Sequence, residues 1–84
     1  MNFPYYEIQL SPRKLKSGKY KATCNIFEQT GDGVKTIQTR WKINGTFETK
    51  DAANTIMRFQ AIHFLKREYG LDDNDVESGK VMVQ

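Results

Sequence analysis

Apolar and polar residues alternate along the first half of the chain. In Tyr5–Leu10, residues 6, 8 and 10 are apolar or aromatic, and residues 7 and 9 are polar. A period of two predicts a β-strand with one buried face. Residues 20–29 and 34–43 show the same alternation, and residues 46–48 form a shorter extended segment. The predicted inward-facing positions of the second and third strands are Tyr20, Ala22, Cys24, Ile26, Ile37, Thr39, Trp41 and Ile43.

The sequence Thr-Gly-Asp-Gly at residues 30–33 separates the second and third predicted strands. Two glycines around an aspartate provide the positive φ angles that tight hairpins require. Strands joined by so short a turn must pair antiparallel. We therefore expect a β-hairpin centred on this turn.

The periodicity changes from two to a helical spacing after residue 49. Thr49 is suited to cap a helix N-terminus, and Gly70 is suited to end one in the left-handed conformation. These signals predict a helix over Lys50–Tyr69. Its predicted buried face consists of Ala52, Ile56, Phe59 and His63, flanked by Ala53, Met57 and Phe64.

A second apolar stripe, formed by Ile62, Leu65 and Tyr69, falls on a side of this helix turned away from the predicted buried face. A surface helix needs one apolar face, so we expect something to cover the second one. Three candidates remain open, namely the apolar tail Val81–Val83, a second copy of the chain or another protein.

The order of elements predicts an α+β fold of one domain, residues 1–84. An antiparallel sheet of three to four strands, residues 5–48, packs against one long C-terminal helix. Residues 70–84 are expected to form an acidic loop and an apolar tail. A chain of 84 residues has room for a single hydrophobic core.

Charge and cysteine content narrow the location and the partners. The net charge is +3, but residues 1–50 hold nine basic and four acidic residues, so positive potential is concentrated there. No stretch has the roughly 18 apolar residues that a membrane span needs, and residues 1–10 do not resemble a secretory signal. Cys24 is the single cysteine. We expect a cytoplasmic protein without membrane partners.

Residues suited to catalysis are few. His63 is expected on the buried side of the helix, and Cys24 alternates with apolar residues on a strand face. The spacing of histidine, cysteine and carboxylate residues matches no metal site. We therefore expect no enzyme activity, no metal and no cofactor.

The predicted sheet has a basic outer face. If the apolar positions face the helix, the opposite face exposes cationic and amide side chains that can contact phosphates and base edges. A merely solvated sheet face has the same composition, so both interpretations stay open. The candidate nucleic-acid-binding residues are Lys19, Lys21, Asn25, Arg40 and Lys42.

The segment from Arg40 to Ala53 resembles the strand-to-helix corner of the Apetala-type and integrase arm-binding domains. Gly45-Thr46-Phe47, the capping Thr49 and the Asp51-Ala52-Ala53 sequence match their pattern. The resemblance implies a three-stranded sheet that lies in the DNA major groove and is backed by one helix. The chain departs from the pattern in having an additional strand, Tyr5–Leu10.

Two hypotheses for function follow. The first is a non-enzymatic module that binds nucleic acid through the basic sheet face. The alternative is a protein-interaction module or homodimeric accessory protein, of the small kind found among uncharacterised phage and prophage products, which uses the stripe of Ile62, Leu65 and Tyr69.

Overall fold

A four-stranded β-sheet carries one long helix on its inner face. The computed structural model describes residues 3–84, and residues 1 and 2 of the predicted domain lie outside the described residues. The strands are β1 (Tyr5–Leu10), β2 (Arg13–Lys14), β3 (Tyr20–Lys21), β4 (Thr23–Thr30), β5 (Gly33–Lys42) and β6 (Val81–Val83). The helices are α1 (Lys50–Tyr69) and α2 (Asp73–Asp75), followed by a π-helical turn over Val76–Lys80.

The order of strands in the sheet is β5-β4-β1-β6. The β4–β5 hairpin and the β1–β4 pair are antiparallel, as predicted, but β6 lies parallel to β1. The prediction of a short strand at residues 46–48 is wrong. In this segment Phe47 makes only an isolated bridge to Tyr20. The fourth strand is instead the apolar tail, so the prediction of one C-terminal helix is also corrected.

The predicted inward faces of β1 and β4 are confirmed. Tyr6, Ile8, Cys24 and Ile26 are buried in one cluster beneath α1. Burial raises the pKa of the Cys24 thiol to about 11. Burial also raises the pKa of Tyr6 to about 12, with help from Glu28, whose carboxylate accepts a 3.0 Å hydrogen bond from the Tyr6 hydroxyl.

Both predicted ends of α1 are confirmed. The Thr49 Oγ1 accepts a 3.0 Å hydrogen bond from the backbone N–H of Ala52, which satisfies one of the free donors of the first turn. Gly70 follows Tyr69 with φ 68°, a left-handed conformation that glycine adopts without steric cost.

The predicted buried face of α1 is correct for the flanking Ala53 and Met57 and wrong for most of its centre. The residues that the sheet buries are Ala53, Met57, Ala61 and Leu65, whereas Phe59 is 67% exposed and His63 is exposed as well. Apolar residues occur around the whole circumference of α1, so periodicity alone does not select a side. Small alanine side chains let the helix axis lie close to the sheet, and the larger Phe59 is left outside.

The fold itself covers the stripe of Ile62, Leu65 and Tyr69. Leu65 is fully buried, and Ile62 packs against the same core. The Tyr69 ring lies 5.5 Å from the ring of Tyr6, measured between centroids. The expectation that this stripe faces away from the core is therefore corrected, and Leu65 has no surface to offer a partner.

The tail joins the core as an edge strand. Val81 is 9% exposed and lies opposite Tyr6 in the parallel pair. The pairing continues beyond the strand, because the N–H of Gln84 donates to the carbonyl of Ile8 and the Gln84 carbonyl accepts from the N–H of Leu10, both at 2.8 Å. Among residues 3–84, no helix has the length and apolar character needed to cross a bilayer.

We predict that β6 contributes to stability through Val81. Val81→Ala should lower the free energy of unfolding by about 2 kcal/mol, because a buried side chain is removed from the core. Met82→Ala, on the same strand but 39% exposed, should cost less than half as much. Urea unfolding of both variants measures the difference, and equal losses would contradict the role assigned to Val81.

Candidate functional site

The outer face of the sheet, turned away from α1, is predominantly polar. Along β4 the side chains opposite to the buried ones are those of Thr23, Asn25, Phe27 and Gln29, and all but Thr23 are partly exposed. In the described part of the chain, α1 packs on the inner face against β1 and β4. The outer face is therefore a polar surface that α1 leaves uncovered.

A basic cleft lies at one end of this face. Its volume is about 340 Å³, and three of its lining side chains are cationic. The lining contains no carboxylate. The residues that form the basic cleft are Ser11, Pro12, Arg13, Thr23, Arg40 and Lys42.

Contacts between Ser11 and Thr23 form one wall of the basic cleft. The Ser11 N–H donates to the Thr23 carbonyl at 3.0 Å, and the two hydroxyl oxygens lie 2.9 Å apart. The Thr23 hydroxyl also donates to the carbonyl of Ser11. These bonds hold the start of β2 beside β4, where Arg13 pairs with Lys21. Arg13 thereby reaches the same cleft as two residues of β5.

The opposite wall is shaped by a bulged segment of β5. Cys24 lies opposite Trp41, but Ile26 lies opposite Gln38, so β5 contains one extra residue between these pairs. Arg40 occupies the bulge with φ 52°, which is unfavourable for a residue with a side chain. The Asn25 Oδ1 accepts a 2.8 Å hydrogen bond from the Arg40 N–H.

A second irregularity follows at once, because Phe27 lies opposite Thr36. The two extra residues break the alternation predicted for residues 34–43. Thr39, expected to face inward, is exposed. Sequence periodicity does not reveal bulges of this kind, because apolar and polar residues alternate regularly through residues 34–43 although the strand contains extra residues.

The five predicted nucleic-acid-binding residues have different surroundings. Arg40 and Lys42 both line the basic cleft, and Asn25 supports the backbone of Arg40. The Lys21 Nζ donates to the carbonyls of Ile43 and Gly45, at 3.4 and 3.1 Å. The Lys19 Nζ lies 3.4 Å from a carboxylate oxygen of Glu48. Lys19 and Lys21 therefore already have oxygen partners within the chain.

Arg13 was not among the predicted site residues. It belongs to a basic segment that also includes Lys14 and Lys16, and the sequence places this segment in a connection between strands. The signal in the sequence that could have identified Arg13 as a site residue was its positive charge. Its position beside Arg40 depends on the pairing of β2 with β3 and on the Ser11–Thr23 contacts, which link residues distant in sequence.

The positive charge is confined to one end of the outer face. Further along, the Glu7 carboxylate lies in register with Phe27. Its two oxygens accept hydrogen bonds from the side-chain amides of Gln29 and Gln84, at 3.2 and 2.8 Å. An anionic ligand is therefore attracted to the basic cleft and repelled from the centre of the sheet.

The two residues considered for catalysis are not brought together. Cys24 is buried on the inner face of the sheet, whereas His63 is exposed on α1. Within residues 3–84, no three His, Cys, Asp or Glu side chains are grouped in a way that could hold a metal ion.

The outer side of α1 carries an exposed apolar feature centred on Phe59. One groove beside the ring has a volume of about 590 Å³ and is lined by Phe47, Ala52, Thr55, Ile56 and Phe59. A smaller groove of about 220 Å³ on the other side is lined by Phe59, Ile62, His63 and Lys66. We call this surface the Phe59 ridge.

Comparisons with family models, with curated proteins and with solved structures found no match to this chain. The resemblance to the Apetala-type and integrase arm-binding domains stays a prediction.

We predict that the backbone of Arg40 costs stability. Arg40→Gly should raise the free energy of unfolding by about 0.5–1 kcal/mol, because glycine adopts positive φ without the clash of a Cβ atom. Thr39→Gly, at a neighbouring position without positive φ, should lower it by about the same amount. Thermal unfolding of both variants tests this, and destabilisation by Arg40→Gly would show that the arginine side chain is needed for the fold.

Proposed function

We propose that this chain is a non-enzymatic module that binds nucleic acid through the outer face of its sheet. The observation that carries the proposal is the basic cleft, where Arg13, Arg40 and Lys42 converge from β2 and β5. Phosphate oxygens are the ligands that a cluster of guanidinium and ammonium groups favours, and arginine binds them through two parallel hydrogen bonds.

The strained backbone of Arg40 supports the same proposal. A non-glycine residue with positive φ is retained at a cost in stability, and such positions concentrate at functional sites. Here the strain directs a cationic side chain into a cleft that already holds two other cations. Glycine at this position would suit the fold equally well, so a contact with the ligand would explain why the residue is an arginine.

Salt-dependent binding tests the proposal. Fluorescence anisotropy with a labelled DNA, as duplex and as single strand, should detect binding at low salt. Three phosphate contacts give a log–log slope with salt of about −3 on duplex and about −2 on a single strand. Each of Arg13→Gln, Arg40→Gln and Lys42→Gln should weaken binding and reduce the magnitude of the duplex slope by about 0.9.

Lys35→Gln is the matched control, because it removes the same charge from a residue that lies opposite Glu28, in register with the inner-facing Tyr6. It should leave the slope unchanged. Lys19→Gln and Lys21→Gln should have smaller effects than the cleft variants, since both ammonium groups have partners within the chain. Absence of binding at low salt, or an equal effect of Lys35→Gln, would refute the proposal.

The Phe59 ridge favours a second function, self-association as a homodimer. Phe59 is 67% exposed and lies at the middle of α1, between two grooves, of which the larger is lined mainly by apolar residues. A two-fold axis beside this ring would align two copies of α1 antiparallel, with each ring over a groove of the other copy. The last turn holds Lys66 and Arg67, but both have carboxylate partners within the chain, Asp73 and Glu68 respectively, so charge adds little to this contact. We propose a second copy as the occupant because each copy offers both the exposed ring and a groove beside it.

Sedimentation or light scattering across a concentration series tests self-association. The chain should form a dimer that Phe59→Ser converts to a monomer without unfolding it. Val34→Ser, which changes another exposed apolar residue on β5, should leave the dimer intact. A monomer at all concentrations would exclude this second function and leave nucleic-acid binding unaffected.

A further inference from the structure

Phe27 is an aromatic ring on the polar outer face of the sheet. It is partly exposed and lies between Glu7 of β1 and Thr36 of β5 in register. Along β4 it is two residues from Asn25, which holds the Arg40 backbone. Two residues of a strand span about 7 Å. The ring lies on the same face as the basic cleft, four residues along β4 from Thr23 of the cleft lining, which is roughly 13 Å.

We propose that the outer face binds single-stranded nucleic acid, with one base stacked on Phe27 and the adjoining phosphates in the basic cleft. The inference rests on the proposed function and specifies its ligand. Proteins that bind single strands combine a cationic track for the backbone with aromatic rings that accept the faces of bases. Those two components lie here on one face of the sheet, at a separation that a short stretch of extended single strand can span.

A duplex fits this face less well. Its bases are stacked on one another, so Phe27 cannot reach their faces without unstacking them. A sheet in the major groove lies between two phosphate backbones that are about 12 Å apart. The cations of the outer face converge at one end, and the Glu7 carboxylate near Phe27 would repel a second backbone.

Glu7 is compatible with an unpaired base in the same position. Each of its carboxylate oxygens accepts one hydrogen bond from a glutamine amide and keeps further acceptor capacity. Exocyclic amino groups of bases are donors. The carboxylate can therefore accept a hydrogen bond from a base that lies over Phe27, while it repels phosphates from this part of the sheet.

The test compares a labelled single strand of about 12 nucleotides with the duplex of the same sequence, a length within the range of about 4–16 nucleotides that single-strand modules cover. The wild-type chain should bind the single strand more tightly. Phe27→Leu should weaken single-strand binding about tenfold and change duplex binding less than twofold. Phe27→Tyr keeps the ring and should retain single-strand affinity.

Phe64→Leu is the matched control, since it makes the same change on a ring of α1 that packs against the core on the opposite side of the sheet and belongs to neither the basic cleft nor the Phe59 ridge. It should leave binding unchanged, and circular dichroism should show that all variants keep the native fold. Equal affinity for single strand and duplex, with no effect of Phe27→Leu, would overturn this inference and leave the proposed function standing. Failure of both nucleic acids to bind would overturn both.

Discussion

The contact between α1 and the inner face of the sheet is the interaction on which the rest of the structure depends. Ala53, Met57, Ala61 and Leu65 meet the buried residues of β1 and β4. Because two of these four side chains are alanines, the helix lies close to the sheet and covers it with little bulk. The residues of the inner face therefore stabilise the fold, and the outer face stays accessible to a ligand.

The position of β1 follows from the same contact. Ile8 and Tyr6 are buried under α1, and β1 offers a hydrogen-bonding edge on each side. One edge pairs with β4 and the other with β6, so the last strand of the chain is placed beside the first. The C-terminal residues are held in the core by Val81, and Gln84 contributes an amide to the Glu7 carboxylate on the outer face.

Function is proposed where the regular geometry of the sheet is interrupted. The bulges in β5 and the Ser11–Thr23 contacts are the irregular features of an otherwise simple fold, and both border the basic cleft. Bulges redirect side chains relative to the regular pleat. The cleft combines Arg40 and Lys42 of β5 with Arg13, which the Ser11–Thr23 contacts bring from β2, on the face that α1 leaves uncovered.

Local patterns in the sequence determined the strands β1 and β4, the tight hairpin, both ends of α1 and the excess of positive charge in the first half. Each of these depends on neighbouring residues, such as the alternation around Ile8 or the cap formed by Thr49. The buried side of α1, the strand formed by Val81–Val83 and the recruitment of Arg13 were decided by the tertiary structure. Each depends on contacts between residues far apart in sequence. The sheet selects the side of α1 that fits it closely, the free edge of β1 pairs with Val81–Val83, and Thr23 binds the segment that carries Arg13. Apolar residues around the whole of α1 satisfy several local patterns equally well, so only packing against the sheet selects one of them.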